Sequence, residues 1–366
     1  MNVPIYLDYA AATPMAPEVL RAMSPYFTER FYNPSATYLP AAAVRKDLEA
    51  ARARIAMVLG ARPSEIVFTA GATEANNLAI RGVLEAYPGS NSIVSGIEHE
   101  SVIKPAQVYE YKEAVVTPQG TIDTEALKNL IDEHTVIVSV MYANNEVGSI
   151  QPIRQVAHVL EEIRRERRKA GNERPLYFHT DAAQAAAYLD LHVSRLGVDF
   201  MTLNGGKIYG PKQTGILFAA SHTRCIPQIL GGGQEHSWRG GTENVPGSIG
   251  LTTALELVQG RRAEESVRLK VLQDLFFKLL EEQVPGIMVN GSRKHRLPNN
   301  VHVTIPGQDN ERVLIGLDEA GVLAAAGSAC SASSEEPSHV LRAMGLSSEA
   351  AQSSLRFSMG LHTGEA

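Results

Sequence analysis

The sequence is poor in the features that mark a disulfide-stabilised or a membrane protein. Its 366 residues include only two cysteines, Cys225 and Cys330. A chain of this size does not depend on one disulfide, so two thiols indicate a reducing compartment. The N-terminus lacks the basic region and apolar core of a signal peptide, and no apolar run is long enough to cross a bilayer. We therefore expect a cytoplasmic protein that does not contact a membrane, with Cys225 in a structural role.

An excess of basic charge and the common nucleotide-binding motifs are also absent. The net charge is -6, so we expect no direct contact with nucleic acid, which needs a basic face. The dense charged run EEIRRERRK at 161–169 has helical spacing and predicts a solvated helix face. No strand is followed by GxGxxG, and GxxxxGK[ST] is missing, which disfavours a nicotinamide cofactor and a P-loop. We expect no metal site.

Short apolar runs alternate with helical segments, which predicts an α/β fold with a mostly parallel sheet covered by helices on both faces. The predicted strands are EIVFTA (65–70), SIVSGI (92–97), TVIVSVMYA (135–143), PLYFHTD (175–181), DFMTLN (199–204) and TGILFAA (214–220). One helix is predicted over 41–59, ended by Gly60. A second is predicted over 264–280, with one apolar stripe formed by Val267, Val271, Leu272, Leu275, Leu279 and Leu280.

The chain is long enough for a large domain and a smaller one. We place the large domain at 15–257 and build the smaller α/β domain from 1–14 and 258–366. The smaller domain would contain the strand VHVTI (301–305), the helix ERVLIGLDEAG (311–321) and the segment around Cys330.

Two short segments carry reactive groups. Lys207 lies in the glycine-rich NGGKIYGPK after a predicted strand, and Cys330 lies among small residues in GSACSASS. Such a lysine could hold an aldehyde cofactor as a Schiff base, and such a cysteine could be a mobile nucleophile, although it could also be a small structural residue. Together the two segments predict pyridoxal-phosphate chemistry that ends on sulfur.

Two further positions fit this cofactor. Gly71-Ala72-Thr73-Glu74 joins a predicted strand to a helix, where backbone N–H groups could bind phosphate, although Thr73 could simply cap the helix. Asp181 ends another predicted strand and could hold a pyridine nitrogen protonated, or cap the next helix. The 26 residues from Asp181 to Lys207 leave room for one helix and one strand, which favours adjacent strand ends.

These segments resemble, in order, the cysteine desulfurases of the class V aminotransferase group, in the branch that supplies iron–sulfur cluster assembly and tRNA thiolation. The resemblance covers nearly the whole chain, through residues 6–14, 33–35, 71–79, 98–99, 144–148, 181–184, 207–212, 239–242, 327–330 and 356–358. It implies a fold-type I transferase that uses pyridoxal 5'-phosphate and L-cysteine. It also implies a homodimer that passes sulfur to an iron–sulfur scaffold or to tRNA-thiolation enzymes.

The resemblance assigns a role to each site residue. Lys207 would hold the cofactor and move the substrate proton, His99 would stack on the ring and relay protons, and the Cys330 thiolate would take the sulfur as a persulfide. The other cofactor-binding residues implied are Ala72 and Thr73 at the phosphate, Asp181 at the ring nitrogen, Gln184 at the phenolic oxygen, Asn145, Asn204, and Thr242 from the partner subunit. Arg356 would grip the substrate carboxylate, assisted by Asn145 and Asn33.

The chain departs from the family at two places. The family usually has serine and histidine where this chain has Asn204 and Gly206, so we expect a weaker or differently built hold on the phosphate. Family members usually continue with a further helix after the strand of Arg356, and we expect a less stable small domain here. The alternative functions are a selenocysteine lyase, a class V aminotransferase, or a catalytically degenerate scaffold that binds partners.

Overall fold

The computed structural model describes residues 4–327 and 336–365. The strands are β1 (Ile5–Tyr6), β2 (Ile66–Thr69), β3 (Asn91–Ser95), β4 (Tyr111–Ala114), β5 (Thr135–Ser139), β6 (Tyr177–Asp181), β7 (Phe200–Asn204), β8 (Gly215–Ala219), β9 (Met288–Val289), β10 (Asn300–Thr304), β11 (Val322–Leu323) and β12 (Ser354–Ser358). The α-helices are α1 (Pro17–Met23), α2 (Pro25–Thr28), α3 (Leu39–Leu59), α4 (Ala72–Ala86), α5 (Glu100–Ala106), α6 (Thr124–Leu130), α7 (Ile153–Lys169), α8 (Val193–Leu196), α9 (Val245–Gln283), α10 (Asn310–Glu319), α11 (His339–Ala343) and α12 (Ser348–Gln352). Short 3-10 turns cover Pro63–Glu65, Gly205–Lys207 and Gln234–Ser237.

The large sheet has seven strands in the order β2-β8-β7-β6-β5-β3-β4. Strands β4, β3, β5, β6 and β7 run parallel to one another, whereas β8 is antiparallel to both β7 and β2. This confirms the predicted mostly parallel sheet. All six predicted strands of this sheet are present, and β4, whose YKEA sequence is less apolar, was not predicted.

Both faces of the large sheet are covered, as a parallel sheet requires. On one face, β-branched and aromatic residues of the central strands pack with helices α3, α7 and α9. On the other face, the alternate residues of the same strands pack with helices α4 and α5. These two apolar layers fix the strand ends, and the functional residues described below lie at or just beyond those ends.

A second, smaller set of elements packs beside the large sheet. Strands β12, β10 and β9 form an antiparallel sheet, and β1 pairs in parallel with β11. Helix α9 has 39 residues and contributes to both regions, with Val245 to Val258 in the core of the large sheet and Leu269 to Phe277 in the core of the smaller one. The division at 257/258 lies inside this helix and stays a prediction.

Two predictions about helix faces were wrong in part. Within the proposed stripe of α9, Val267 and Val271 are 68% and 59% exposed, whereas Leu272 is buried. The core instead receives Leu269 and Phe277, because the three-stranded sheet contacts only one side of the helix. In the charged run of α7, Arg167 is buried and its guanidinium donates to the Thr135 carbonyl over 2.8 Å, so this face is not fully solvated.

Among residues 4–327 and 336–365, none of the helices combines the length and the apolar character that a membrane crossing needs.

Candidate active site

A cavity of about 230 Å³ lies at the carboxyl ends of the large sheet's strands and brings together most of the predicted site. Its lining includes nine of the predicted residues, namely Ala72, Thr73, His99, Asn145, Asp181, Gln184, Asn204, Lys207 and Arg356. It also includes Ala10, Ala11, Ser101, Met141, Ala143 and Ala183. This is the edge of a parallel sheet where ligands bind in open α/β folds.

Lys207 closes the 3-10 turn that follows strand β7 and directs its amine toward the N-terminal segment. Nζ donates to the carbonyls of Ala10 and Ala11, over 2.9 and 2.6 Å. The turn is held by Thr13, whose hydroxyl donates to the Gly206 carbonyl and accepts from the Tyr209 N–H. The sequence between residues 10 and 13 therefore fixes the position of a lysine almost 200 residues away.

Asp181 ends strand β6, the neighbour of β7 in the sheet, so the predicted adjacency of Asp181 and Lys207 is confirmed. Its side chain is buried, with Oδ2 accepting from Asn76 Nδ2 over 2.8 Å and Oδ1 from the Ala183 N–H over 2.9 Å. The second bond shows that Asp181 also caps the following turn, so both interpretations of this residue fit its geometry. The two bonds fix the carboxylate in one orientation.

His99 and Glu98 follow strand β3. The Ser101 N–H donates to His99 Nδ1 over 3.0 Å, which leaves the proton of a neutral ring on Nε2. Glu98 is fully buried, and its Oε1 accepts from Ser95 Oγ and from the Met141 N–H, over 2.8 and 2.5 Å. Burial raises the pKa of Glu98 to about 8, and the charge of Asp181 acts in the same direction. Glu98 is therefore protonated at neutral pH and adds no second charge beside Asp181.

The turn that would bind phosphate is built by two glycines. Gly71 has a φ of +136° just before helix α4, a conformation that residues with a side chain rarely adopt. Gly215, at the start of β8, packs against the Gly71 backbone. A Cβ atom at position 215 would lie 2.7 Å from the Gly71 carbonyl carbon. This packing leaves the first N–H groups of α4, at Ala72 and Thr73, available at the cavity wall.

Of the two positions that depart from the family, Asn204 lines the cavity and Gly206 lies in the turn that carries Lys207. Asn204 Oδ1 accepts from the Gly206 N–H over 3.1 Å, so the asparagine caps the turn that carries Lys207. A Cβ atom at Gly206 would have its nearest neighbours at 3.6 Å, which is ordinary contact. The backbone thus has room for a side chain at position 206, and the glycine is not required by packing.

Arg356 lies on strand β12 of the smaller sheet and is 1% exposed. One guanidinium nitrogen donates to Asp8 Oδ1 over 2.7 Å and the other to the Asn145 carbonyl over 3.1 Å. Its Nε has no hydrogen-bond partner among the described residues. Because Arg356 also lines the cavity, its positive charge favours a ligand with an anionic acceptor group.

Three predicted residues are not part of the described cavity. Asn33 is exposed and its Oδ1 accepts from the Ser35 N–H, which fits a turn. Thr242 is exposed and lines a different cavity with Arg239 and Gln213. Cys330 lies outside the described residues.

The sequence did not reveal several residues that shape the cavity. Asn76 was missed although it follows Ala72 by four positions, the spacing of one helix face, and Ser101 was missed although it follows His99 by two. His179, beneath Asp181, is fully buried between Ser139 Oγ and Thr202 Oγ1, and burial lowers its pKa to about 4. Such contacts join distant segments, and the only local signal was a polar residue inside an apolar strand or helix.

Comparison with known proteins identifies the family that the site residues indicate. The family model Aminotransferase class-V matches residues 5–366. The cysteine desulfurase IscS of Dictyoglomus turgidum is 40% identical over 99% of this chain and 91% of its own length. A solved NifS-like protein has a TM-score of 0.90 and 29% identity, covering 99% of this chain and 95% of its own. The solved structure of SspA in complex with cysteine has a TM-score of 0.84 and 34% identity, covering 97% and 98%.

The chain belongs to the class V aminotransferase family. Within it, the chain groups with the cysteine desulfurases, and enzymes of this group depend on pyridoxal phosphate. The predicted fold-type I architecture is confirmed with this assignment.

The residues present fit the cofactor of this family. The cavity offers an amine at Lys207, a carboxylate fixed at Asp181 and backbone N–H groups at the start of α4. These are the groups that an aldehyde, a pyridinium nitrogen and a phosphate require. The chemistry of the donors, taken one by one, therefore matches the cofactor that the family uses.

Proposed function

We propose that this protein converts L-cysteine to L-alanine and keeps the sulfur as a persulfide on Cys330. The observation that carries the proposal is that the guanidinium-bearing Arg356 lines the same cavity as Lys207 and Asp181. An amino-acid carboxylate would pair with that guanidinium and place the substrate between the small sheet and the lysine. The related SspA has been solved in complex with cysteine, which supports this substrate class.

The bound cofactor would supply an electron sink for negative charge that develops at the substrate Cα. Arg356 would hold the carboxylate, and Lys207 would remove the proton from Cα and return one later. The Cys330 thiolate would attack the substrate sulfur, forming the S–S bond as the substrate C–S bond breaks. The substrate carbon takes the electron pair and protons and leaves as alanine, so one cysteine gives one persulfide and one alanine.

The test is to measure alanine and sulfide released from L-cysteine by the purified protein with pyridoxal phosphate and a thiol reductant. We expect equal amounts of both. Cys330→Ser should retain the cofactor's visible absorption and lose sulfide release. Cys225→Ser is the matched control, because the Cys225 thiol donates to the Leu78 carbonyl and burial raises its pKa, so it is not a nucleophile.

Other outcomes would contradict the proposal in distinct ways. Sulfide at the wild-type rate from Cys330→Ser would remove the role of this cysteine. Consumption of a keto acid without sulfide would indicate an aminotransferase, and turnover of selenocysteine alone would indicate a lyase. A protein that binds no cofactor at all would indicate the degenerate scaffold.

A homodimer also belongs to the proposal. Large apolar side chains on the surface include Phe31 at 63%, Leu39 at 86% and Leu230 at 82% exposure, which a second copy would cover. Thr242 lies outside the cavity of its own chain, which suits contact with the partner's cofactor phosphate. Sedimentation should give twice the mass of one chain, and Leu230→Asp should shift it toward the monomer. A monomeric wild type with full activity would contradict this part.

The proposal also covers which protein accepts the sulfur and which cellular compartment contains the enzyme. The names of the relatives support delivery to iron–sulfur cluster assembly, and tRNA-thiolation enzymes are a second acceptor class. Transfer of radiolabelled sulfur from the persulfide to purified acceptors of each class would decide between them. The two-cysteine composition favours the cytoplasm, which localisation of the tagged chain would test.

A further inference from the structure

The loop between strand β5 and helix α7 contains a tight turn at 144–148 that borders the cavity. Asn144 Oδ1 accepts from the N–H groups of Glu146 and Val147, over 2.8 and 2.9 Å, and its Nδ2 donates to the Ile97 carbonyl. Asn300 Nδ2 donates to the Glu146 carbonyl over 2.7 Å. The backbone of Glu146 is therefore fixed by two regions of the molecule, one from each sheet.

The Glu146 side chain is 1% exposed, bonds to the C-terminal stem of the segment that contains Cys330 and lies close to its N-terminal stem. On the C-terminal stem, Ser338 Oγ donates to Glu146 Oε2 over 2.5 Å. On the N-terminal stem, Gly327 has a φ of +86°, and a Cβ atom there would lie 3.4 Å from the same Oε2. One carboxylate oxygen thus lies close to Gly327, which precedes residues 328–335, and accepts from Ser338, which follows them.

The same stems are connected to the groups that line the cavity. Ala325, two residues before Gly327, exchanges both backbone hydrogen bonds with Arg356. The guanidinium of Arg356 in turn donates to the carbonyl of Asn145, the neighbour of Glu146. His339, the residue after Ser338, pairs through Nε2 with the Glu98 carbonyl over 2.9 Å, next to His99. A continuous set of hydrogen bonds and close contacts therefore links Glu146, Arg356 and the two stems.

We propose that Glu146 is a positioning residue for sulfur transfer, which fixes the two stems of the cysteine-bearing segment relative to Arg356. The inference rests on the proposed function of Cys330 and gives a role to a residue that contacts neither cofactor nor substrate in that function. Glu146 would affect the rate of the step in which the Cys330 thiolate attacks the substrate sulfur. Misplacement by about 1 Å at such a step costs about 100-fold in rate.

The test compares single-turnover persulfide formation at saturating L-cysteine in the holoenzyme variants. Glu146→Ala should slow persulfide formation about 10- to 100-fold, while the Kd for cysteine, read from the visible absorption of the bound cofactor, changes about 2-fold or less. Ser338→Ala removes one hydroxyl from a half-buried position and should slow the same step several-fold, and Ser338→Thr should restore it. Exposed Glu349→Ala is the matched control and should leave the rate unchanged.

The outcomes separate this inference from the proposed function. If the wild type forms no persulfide, the proposed function fails. If the wild type forms it and Ser338→Ala and Glu146→Ala both match the wild-type rate, only the role of Glu146 is overturned. If Glu146→Ala fails to fold, the rates of Ser338→Ala and Ser338→Thr still test the proposal. Equal losses in Kd and in rate would mean that Glu146 supports the cavity as a whole, which also overturns the proposal.

Discussion

The two walls of the cavity are built differently. On the wall formed by the large sheet, the side chains of Asp181 and Lys207 each bond to a partner from elsewhere in the chain, and His99 pairs with nearby Ser101. On the wall formed by the smaller sheet, Arg356 is buried more deeply than Lys207 or His99, and its guanidinium bonds to Asp8 and to the Asn145 carbonyl. The cofactor wall therefore takes its hydrogen bonds from the large sheet and the N-terminal segment, whereas the charged group of the substrate wall also bonds across to a loop of the large sheet. We expect this guanidinium to set the substrate specificity.

The largest effect that would test the cofactor wall is expected from Lys207→Ala. Loss of the amine removes the proposed proton-transfer group, so alanine formation should fall by about 1,000-fold or more. Lys212→Ala, which removes an exposed lysine of the same segment, should retain activity. The measurement is alanine produced from L-cysteine in the presence of pyridoxal phosphate. Comparable losses in the two variants would mean that charge in this segment matters, not the position of Lys207.

The substrate wall is tested by Arg356→Lys. A lysine cannot form two parallel hydrogen bonds with a carboxylate, so KM for L-cysteine should rise about 10- to 100-fold with a smaller change in kcat. The cofactor's absorption should not change, because the cofactor wall is built separately. Exposed Arg342→Lys is the control. A changed cofactor spectrum in Arg356→Lys would show that the two walls are not independent.

Asn76 tests whether partners on the cofactor wall matter individually. Asn76→Ala removes the hydrogen bond to Asp181 Oδ2, and a bond to a charged group contributes about 1.5–3 kcal/mol, so the cofactor's Kd should rise about 10-fold or more. The neighbouring Asn77 donates to the Thr73 carbonyl of its own helix and not to Asp181, so Asn77→Ala should change this Kd little. Titration of the apoprotein with pyridoxal phosphate measures both. An unchanged Kd in Asn76→Ala would mean that Asp181 holds its position without this partner.

The smallest effect concerns the buried carboxyl behind the cofactor wall. The pKa of Glu98 is raised in the folded state to about 8, so the unfolded chain loses this proton more easily. The contribution of Glu98 to stability is therefore fully present below pH 4.5 and is lost as the pH rises toward 8. Glu98→Gln lacks this titration, so Tm of the variant minus Tm of the wild type should increase by about 2 °C or more between pH 5 and pH 8. A difference that stays constant with pH would show that Glu98 is not protonated in the folded protein.

The sequence predicted the cofactor wall better than the substrate wall, and the reason is physical. Asp181 ends β6 and Lys207 lies in the turn that follows β7, and the carboxyl ends of parallel strands meet at one edge of the sheet, so local pattern was enough. Arg356 depends on Asp8 and on the Asn145 carbonyl, which lie 348 and 211 residues away. No local pattern encodes such a meeting, and the family resemblance supplied it. The exposed face of α9 was mispredicted because hydrophobic spacing identifies a helix face without saying what covers it.

Helix α9 connects the two walls, so the distance between them depends on how straight and how rigid this helix is. Its 39 residues form a strut about 58 Å long, with one end in the core of the large sheet and the other in the core of the small one. A tilt of about 2° at one end moves the other end by about 2 Å. Near the middle is Gly260, where a side chain would meet nothing within 4 Å and where glycine weakens a helix interior relative to alanine. The stiffness of this helix, together with the direct hydrogen bonds from Arg356 and Asn300 to the 145–146 turn, therefore sets how well the two walls keep their relative position as temperature rises.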